Sequence, residues 1–530
     1  MPLIFSEASL ISEHDLVTML EVSDDEEIIK ETENSTRAKL LPIGSSVIFQ
    51  DYLVKVNIDR FFCFHFAVFG NTGAGKSNTV ASILQRIFLK TNYSARGAKF
   101  VIIDSNGEYA QAFSSINTVN PQIHVKSLIA SESNEKENRL EIPVWSLTAD
   151  DWSILLHATE KTQVPILKRA IDLARNFFDP DNHNDDVKNH ILASTVLGII
   201  NSSDTSPSKS DKIKGILSTF KTNAISLDSE IAHGKVLKDA VSMHFGSMVD
   251  EEAAIQFVQT YIKSDIADSL VISKTVTYTM QQFFEAVQFA TFYEGSISSQ
   301  RIQEYTSTLI TRLQALNDGI QGKILTKTAF ESTEAYINDL LGEHQIVNID
   351  ISLLDDSSAE VVTKVLAKLL LDHLKRMDSK AAMPISFIIE EAHRFVRNES
   401  NYGVLGYNIF ERIAKEGRKF GLLMGISSQR PSELSKTVVS QCSNFIIHRV
   451  QNPDDLQYIA KMVPYVNQRM IDRLTYLQTG HALVFGTAIN LPTLRYLWQD
   501  FSTDAEGYAF PHNRTGQRHS WQHPAHGKCA

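Results

Sequence analysis

The chain has 530 residues, 43% of them hydrophobic and 21% charged, with a formal net charge of −11. That composition excludes a largely disordered or fibrous chain and argues against a protein that coats nucleic acid over its whole surface, while leaving room for a local basic groove or channel. At roughly 100–200 residues per domain, the length suggests two to four domains or one large core with insertions.

In chain order, residues 1–60 are acidic, with a carboxylate run at 24–27 and short β-like pieces at 46–49 and 52–56. They are expected to form a small N-terminal module resembling a reduced β-barrel. The opening MPLIFSEASLISEHD lacks a basic region followed by an apolar core, so no secretory signal is expected. Cys63, Cys442 and Cys529 are too few and too far apart for a disulfide framework, and a reducing cytoplasm is the expected compartment. The run FFCFHFAVF (61–69) is predicted to be one buried strand. It is the densest apolar stretch, far short of the roughly 18–20 residues of a membrane span, so no membrane association is expected.

After a glycine-rich turn, Val80, Ile83, Leu84, Ile87 and Phe88 recur at helical spacing, and KFVIID (99–104) reads as a second strand. Strand, glycine loop, helix, strand is the start of a parallel α/β sheet. Residues 151–338 read as a helical insertion, with helices at 163–178 and 253–262 and an exposed loop at 201–212. The α/β pattern resumes with strand 344–350, a helix at 359–377, strand 384–389, a helix at 408–419, strands 422–427 and 445–450, and a last pair at 481–486 and 491–498. The expected fold is thus a RecA-like α/β P-loop core in two parts, 61–150 and 339–500, with the insertion between them. A C-terminal arm at 501–530 contains His519, His523, His526 and Cys529. Those side chains have spacings that a metal accepts, but a flexible terminus without a scaffold is the commoner meaning of such a segment.

Gly70-Asn71-Thr72-Gly73-Ala74-Gly75-Lys76-Ser77 satisfies G-x-x-x-x-G-K-[ST]. A chance match in a chain this long has odds of roughly one in fifty, and here a strand precedes the motif and an amphipathic helix follows it. Glycines let successive N–H groups face an anion, and the helix adds its positive N-terminal end. Residues from Gly70 to Ser77, and Asn78 after them, are expected to bind the nucleotide, with Lys76 on the β and γ phosphates of ATP and Ser77 on Mg²⁺. Glu390 and Glu391 emerge where the strand 384–389 ends. Glu390 is assigned to the Mg²⁺ shell and Glu391 to the attacking water; an ordinary acidic helix start would look similar. Asp104 suits either the metal-water network or a turn, Gln429 either a γ-phosphate sensor or a strand-end hydrogen bond, and Asp350 has a more structural appearance.

The combination GNTGAGKSNT, VIIDSNGEY, FIIEEAHRF and IAKEGRKFGLLMGISSQRPSEL followed by VVSQCSN resembles the HerA branch of the HerA/FtsK ATPases, over roughly 41–150 and 340–498. The resemblance implies a homohexameric ring with ATP sites between subunits and translocation of double-stranded DNA through the central channel. It also implies a partner effector, a nuclease or a Sir2-like NADase, in DNA-end processing or antiphage defence. It supports the roles of Lys76, Ser77, Glu390, Glu391 and Gln429, and it points to Arg418 as an arginine finger acting on the neighbouring subunit, with Lys419 or Arg412 as substitutes. Relatives usually carry a larger N-terminal barrel than sixty residues allow, and their C-terminal arm packs on a neighbour. A nucleotide-gated scaffold that activates its effector without extensive translocation, or a conjugation- or secretion-type ATPase, shares the same motifs. Arg394, Arg397 and, more weakly, Lys209, Lys212 and Lys214 are candidate DNA contacts, with ordinary surface charge as the alternative. Without interleaved aromatic and basic residues, binding to the sugar–phosphate backbone irrespective of sequence is expected.

Overall fold

The computed structural model describes residues 11–21, 40–49, 52–89, 95–131, 138–159, 162–178, 185–202, 204–232, 234–263, 276–297, 301–325, 330–397, 408–463, 466–490 and 493–497. The carboxylate run at 24–27 and the arm at 501–530, with His519, His523, His526 and Cys529, lie outside the described residues.

An eleven-stranded sheet organises the chain. Its strands are β1 (Leu40–Ser46), β2 (Leu53–Asn57), β3 (His65–Phe69), β4 (Lys99–Asp104), β5 (Val125–Ile129), β6 (Ile346–Asp350), β7 (Ile385–Ile389), β8 (Leu422–Ser428), β9 (Cys442–Ile447), β10 (His481–Gly486) and β11 (Thr493–Leu497). The spatial order is β2-β1-β11-β10-β9-β3-β8-β7-β4-β6-β5. From β9 to β5 every pairing is parallel, while β10, β11, β1 and β2 continue the sheet antiparallel. In the parallel part every strand ends on the same edge, which brings Phe69, Asp104, Ile389, Ser428 and Ile447 together although they are spread over most of the sequence.

Alternation along each strand gives the sheet two apolar faces. On one, Val80, Ile83, Leu84, Ile87 and Phe88 of the helix Lys76–Leu89 pack on Phe66, Val68, Phe100 and Ile102. At about 1.5–3 kcal/mol per fully buried large apolar side chain, this stripe holds the helix to the sheet. On the other face, Ala67, Phe69, Val101 and Ile103 share a continuous core with the helix Asp356–Arg376 and with the segment between β5 and β6. That segment is largely helical, as expected, and stacks Trp152 on Phe283 at 4.3 Å within the same core. The expected boundaries at 150/151 and 338/339 fall inside the helices Ala149–Leu155 and Thr333–Leu341.

Several expectations need correction. The strands expected as a reduced barrel instead extend the main sheet: β1 pairs with β2 on one side and β11 on the other. The piece at 46–49 is a turn, because the Ser46 hydroxyl accepts hydrogen bonds from the N–H groups of Ile48 and Phe49. The aromatic run 61–69 divides into a helical turn, Ile58–Phe62, and β3. The Asn57 side chain caps that turn by accepting from Arg60 N–H, and Phe61, Phe62 and Phe66 form an aromatic cluster across the break. Much of the loop expected at 201–212 is helix: Ser206–Thr219 starts with Pro207 in its first turn, where a missing N–H costs nothing. The helix expected at 408–419 contains a π-turn at Ile413–Gly417.

Candidate active site

The P-loop leaves β3 at the edge where the parallel strands end. Gly75 has φ +115°, a conformation that L side chains rarely adopt, and packs against Gly480. Ala74 is buried and its carbonyl accepts from Gly480 N–H, while Asn71 N–H donates to Arg449 O. Thr72 and Gly73 are exposed at the tip of the loop, and Asn78 is half-buried in the helix's first turn. Lys76 Nζ folds back to Asn71 O at 3.5 Å. Burial lowers the Lys76 pKa, and the carboxylates of Glu391, Glu390 and Glu108 act in the opposite direction.

Ser77 Oγ donates to Glu390 Oε1 at 2.7 Å, so the strand-end carboxylate expected in the metal shell stands beside the P-loop hydroxyl expected there. Glu390 is almost completely buried, and burial raises its pKa to about 8. Glu391 follows with φ +46°, an uncommon value for a non-glycine residue. Its Oε2 lies 3.4 Å from His393 Nδ1. Gln429, just past β8, accepts a hydrogen bond from Thr72 Oγ1 and is thereby placed over the P-loop.

Asp104 is not where a metal ligand belongs. Its Oδ1 accepts from the N–H groups of Asn106, Gly107 and Glu108, and its Oδ2 from Tyr109 N–H and Asn348 Nδ2. Fully buried, this carboxylate builds the turn after β4. Asp350 likewise closes its own turn on Ser352 N–H. What the Asp104 turn delivers is Tyr109, whose buried hydroxyl faces Ser77 and the Glu390 carboxylate with no hydrogen bond of ordinary geometry. Sequence reasoning missed Tyr109 and Glu108, since neither stands at a strand end; the signal lay in the DSNGEY turn, read only for its first residue.

Two oxygens beside Ser77, Glu390 Oε2 and Tyr109 Oη, thus have no hydrogen bond of ordinary geometry. Oxygen donors left unsatisfied in a buried, acidic pocket fit a hard divalent cation with its waters.

Arg418 lies at the opposite edge of the sheet. It follows the π-turn and precedes β8, exposed, with its guanidinium 4.0 Å from the Phe64 ring centroid. The seven residues of β8 span about 20 Å, so Arg418 is out of reach of its own P-loop. The π-turn is fixed from β3: His65 Nε2–H donates to Ala414 O at 3.1 Å, and His65 Nδ1 accepts from Met424 N–H at 2.8 Å. Arg412 and Lys415 pair along the helix with Glu416 and Glu411. The expected DNA-contacting cations are largely engaged within the chain: Arg394 pairs with Asp356 at 2.6 Å, Arg397 donates to His393 O, Lys209 to Ile200 O, and Lys212 to Asp204.

Burial lowers the pKa of His65 and of His448, at the two ends of β3, to about 4, with Arg418 near the first and Lys76 and His481 near the second. An unfolded imidazole titrates near 6.5, so between pH 6.5 and 4 the unfolded chain binds more protons. The stability these rings contribute is complete above pH 6.5 and lost as pH falls towards 4, by about 2 kcal/mol per ring at pH 5. The melting temperature is therefore expected to fall between pH 7 and pH 5, and to fall less in a His65→Asn variant. An equal fall in both would contradict a neutral His65.

Parallel strands that end together on a P-loop, a Lys-Ser pair and a buried strand-end glutamate define a P-loop ATPase of RecA-like fold. Residues 41–370, well over half of the chain, match the family model described as Helicase HerA, central domain, and the chain belongs to that family. It is 23% identical over 467 residues to the DNA double-strand break repair helicase HerA of Pyrococcus furiosus, covering 86% of this chain and 68% of that one. It is 24% identical over 456 residues to the protein of the same name from Saccharolobus solfataricus, covering 85% and 67%. Among solved structures, VirB4 of Thermoanaerobacter pseudethanolicus superposes with a TM-score of 0.47 and 12% identity, over 86% of this chain and 96% of that one. Among the described residues, no helix is long and apolar enough to cross a membrane.

Proposed function

We propose that the chain works as a homohexameric, ATP-driven translocase of double-stranded DNA in the cytoplasm. In this reading it serves a nuclease or Sir2-like effector in DNA-end processing or phage defence. The observation that carries the motor reading is the placement of Arg418. A P-loop ATPase whose candidate finger stands about 20 Å from its own phosphates needs a neighbour to complete its site, and the HerA family match supports a ring as that neighbour.

In the site itself, the P-loop N–H groups and Lys76 bind the β and γ phosphates of ATP. Ser77 and Glu390 hold Mg²⁺, which when bound supplies charge neutralisation for the phosphates, and Tyr109 and Glu108 face its water shell. Glu391 orients the attacking water and accepts its proton, with His393 holding the carboxylate in place. Gln429, tied to Thr72, senses the γ-phosphate. The 151–338 region is a helical insertion on the face of the sheet opposite the P-loop helix.

Duplex DNA is expected to stimulate ATP turnover, and the ring is expected to displace a protein roadblock from a linear duplex. Backbone binding further requires that DNA affinity fall at least about a hundredfold between 50 and 200 mM salt if four or more phosphates are neutralised. Affinity indifferent to salt, or ATPase indifferent to DNA, would overturn the motor. Mass measurement of the complex purified from its native host tests the ring and identifies the effector.

A further inference from the structure

The P-loop is gripped from beneath as well as shaped from within. His448 follows β9, is fully buried, and its N–H donates to Phe69 O at 2.8 Å, which carries the β3–β9 ladder to the last residue before the loop. A Cβ on Gly70 would come within 2.6 Å of His448 Cβ, and one on Gly75 within 3.4 Å of the ring. The two glycines at the ends of the loop therefore rest on this one side chain.

Its two ring nitrogens have unlike partners. Nδ1 lies 3.0 Å from His481 O, a carbonyl that can only accept, so Nδ1 carries the proton. Nε2 is then a lone-pair acceptor, and at 2.9 Å it takes the hydroxyl proton of Thr79. Burial, which holds the ring neutral, agrees with this tautomer. Thr79 sits in the first turn of the P-loop helix, three residues after Lys76 and two after Ser77.

We propose that His448 is a positioning residue of the nucleotide site: it ties the first helical turn, through Thr79, to the start of β10, and so fixes the backbone that carries Lys76 and Ser77. The chain of bonds runs Thr79 Oγ1 to His448 to His481 O, and a parallel bond from Gly480 N–H to Ala74 O grips the loop from the same strand end. The antiparallel end of the sheet, β10, β11, β1 and β2, is by this route mechanically continuous with the phosphate site. The inference rests on the P-loop as the nucleotide site.

The test is a double-variant cycle read by the affinity of a fluorescent ATP analogue with Mg²⁺, alongside melting temperature. Thr79→Val keeps the shape and removes the hydroxyl. His448→Asn keeps an N–H donor for His481 O and removes the acceptor for Thr79. Each is expected to weaken nucleotide binding about five- to tenfold, the worth of one buried hydrogen bond. The double variant is expected to bind no worse than the weaker single, because both remove the same bond. Thr79→Ser, which keeps the hydroxyl, is expected to bind within about twofold of the native chain; should His448→Asn fail to fold, the Val and Ser pair decides alone. Losses that multiply in the double variant overturn the proposal, as does a lowered melting temperature with unaltered affinity. A native chain that fails to bind the analogue overturns the nucleotide-site reading instead.

Discussion

Glu391→Gln is expected to leave ATP binding within a few-fold of native and to cut turnover by about two to four orders of magnitude, the usual contribution of a positioned base. The geometry separates this residue from Glu390. Glu390 Oε1 accepts from Ser77 Oγ at 2.7 Å and lies deep in the protein, which suits its proposed place in the cation's shell. Glu391 has a left-handed backbone, its Oε2 lies 3.4 Å from His393 Nδ1, and its charge acts on Lys76; the proposed role puts it on the γ-phosphate side of the loop. Glu390→Gln is accordingly expected to weaken the Mg²⁺ dependence of nucleotide binding, whereas Glu391→Gln produces a ring that holds ATP without cleaving it. Lys76→Ala removes the P-loop amine, whose burial is partly offset by neighbouring acidic groups, and is expected to abolish tight binding altogether. Equilibrium binding and single-turnover hydrolysis distinguish the three. If Glu391→Gln turned over within tenfold of native while Glu390→Gln trapped ATP, the two roles would be reversed.

The parts of this site that were legible in the sequence are those where one local signal has one physical meaning. A glycine-rich loop between a strand and an amphipathic helix leaves little choice about Lys76 and Ser77, and an apolar strand that stops at two glutamates puts both at the sheet edge. Asp104 stays open between a cation and a turn in the sequence because a strand-end carboxylate looks the same whether it binds a cation or four backbone N–H groups. In the folded chain its oxygens are used up in shaping the turn that presents Tyr109. His448 was invisible for another reason, since it acts on Thr79 far away in the chain, and Tyr109, signalled only by the DSNGEY turn, likewise faces the distant Glu390. Burial and tautomer, which give His448 its role, have no local sequence correlate. In the fold, hydrophobic patterning located the strands but could not divide 61–69, since aromatic residues suit a buried helical turn as well as a strand and the deciding group is the Asn57 cap. The π-turn at Ile413–Gly417 follows from tertiary bonds to His65 and the start of β8, which no helical periodicity reveals.

Arg418→Ala is expected to lower ATP turnover by about three to five orders of magnitude, the range for an arginine finger, with nucleotide binding nearly unchanged. The decisive measurement is on mixed rings. Arg418→Ala and Glu391→Gln subunits are each inactive alone, but a complete site forms wherever the P-loop of the first meets the arginine edge of the second. Random mixing in equal amounts makes about a quarter of such head-to-tail interfaces complete, so activity is expected to return on mixing. The argument for action in trans is spatial. Within one chain the guanidinium stacks on Phe64 at the start of β3, while the phosphates bind after the end of the same strand. Guanidinium suits the role because it remains charged wherever the interface buries it and can span two phosphate oxygens. Lys419, next in sequence, is exposed at the same edge, and Arg412 is paired with Glu416. If Lys419→Ala reproduced the loss and Arg418→Ala did not, the finger would shift by one residue with the trans geometry intact. If neither variant regained activity on mixing, the completed site would not be shared between neighbours, and the placement of Arg418 at the far edge would have a purely structural meaning.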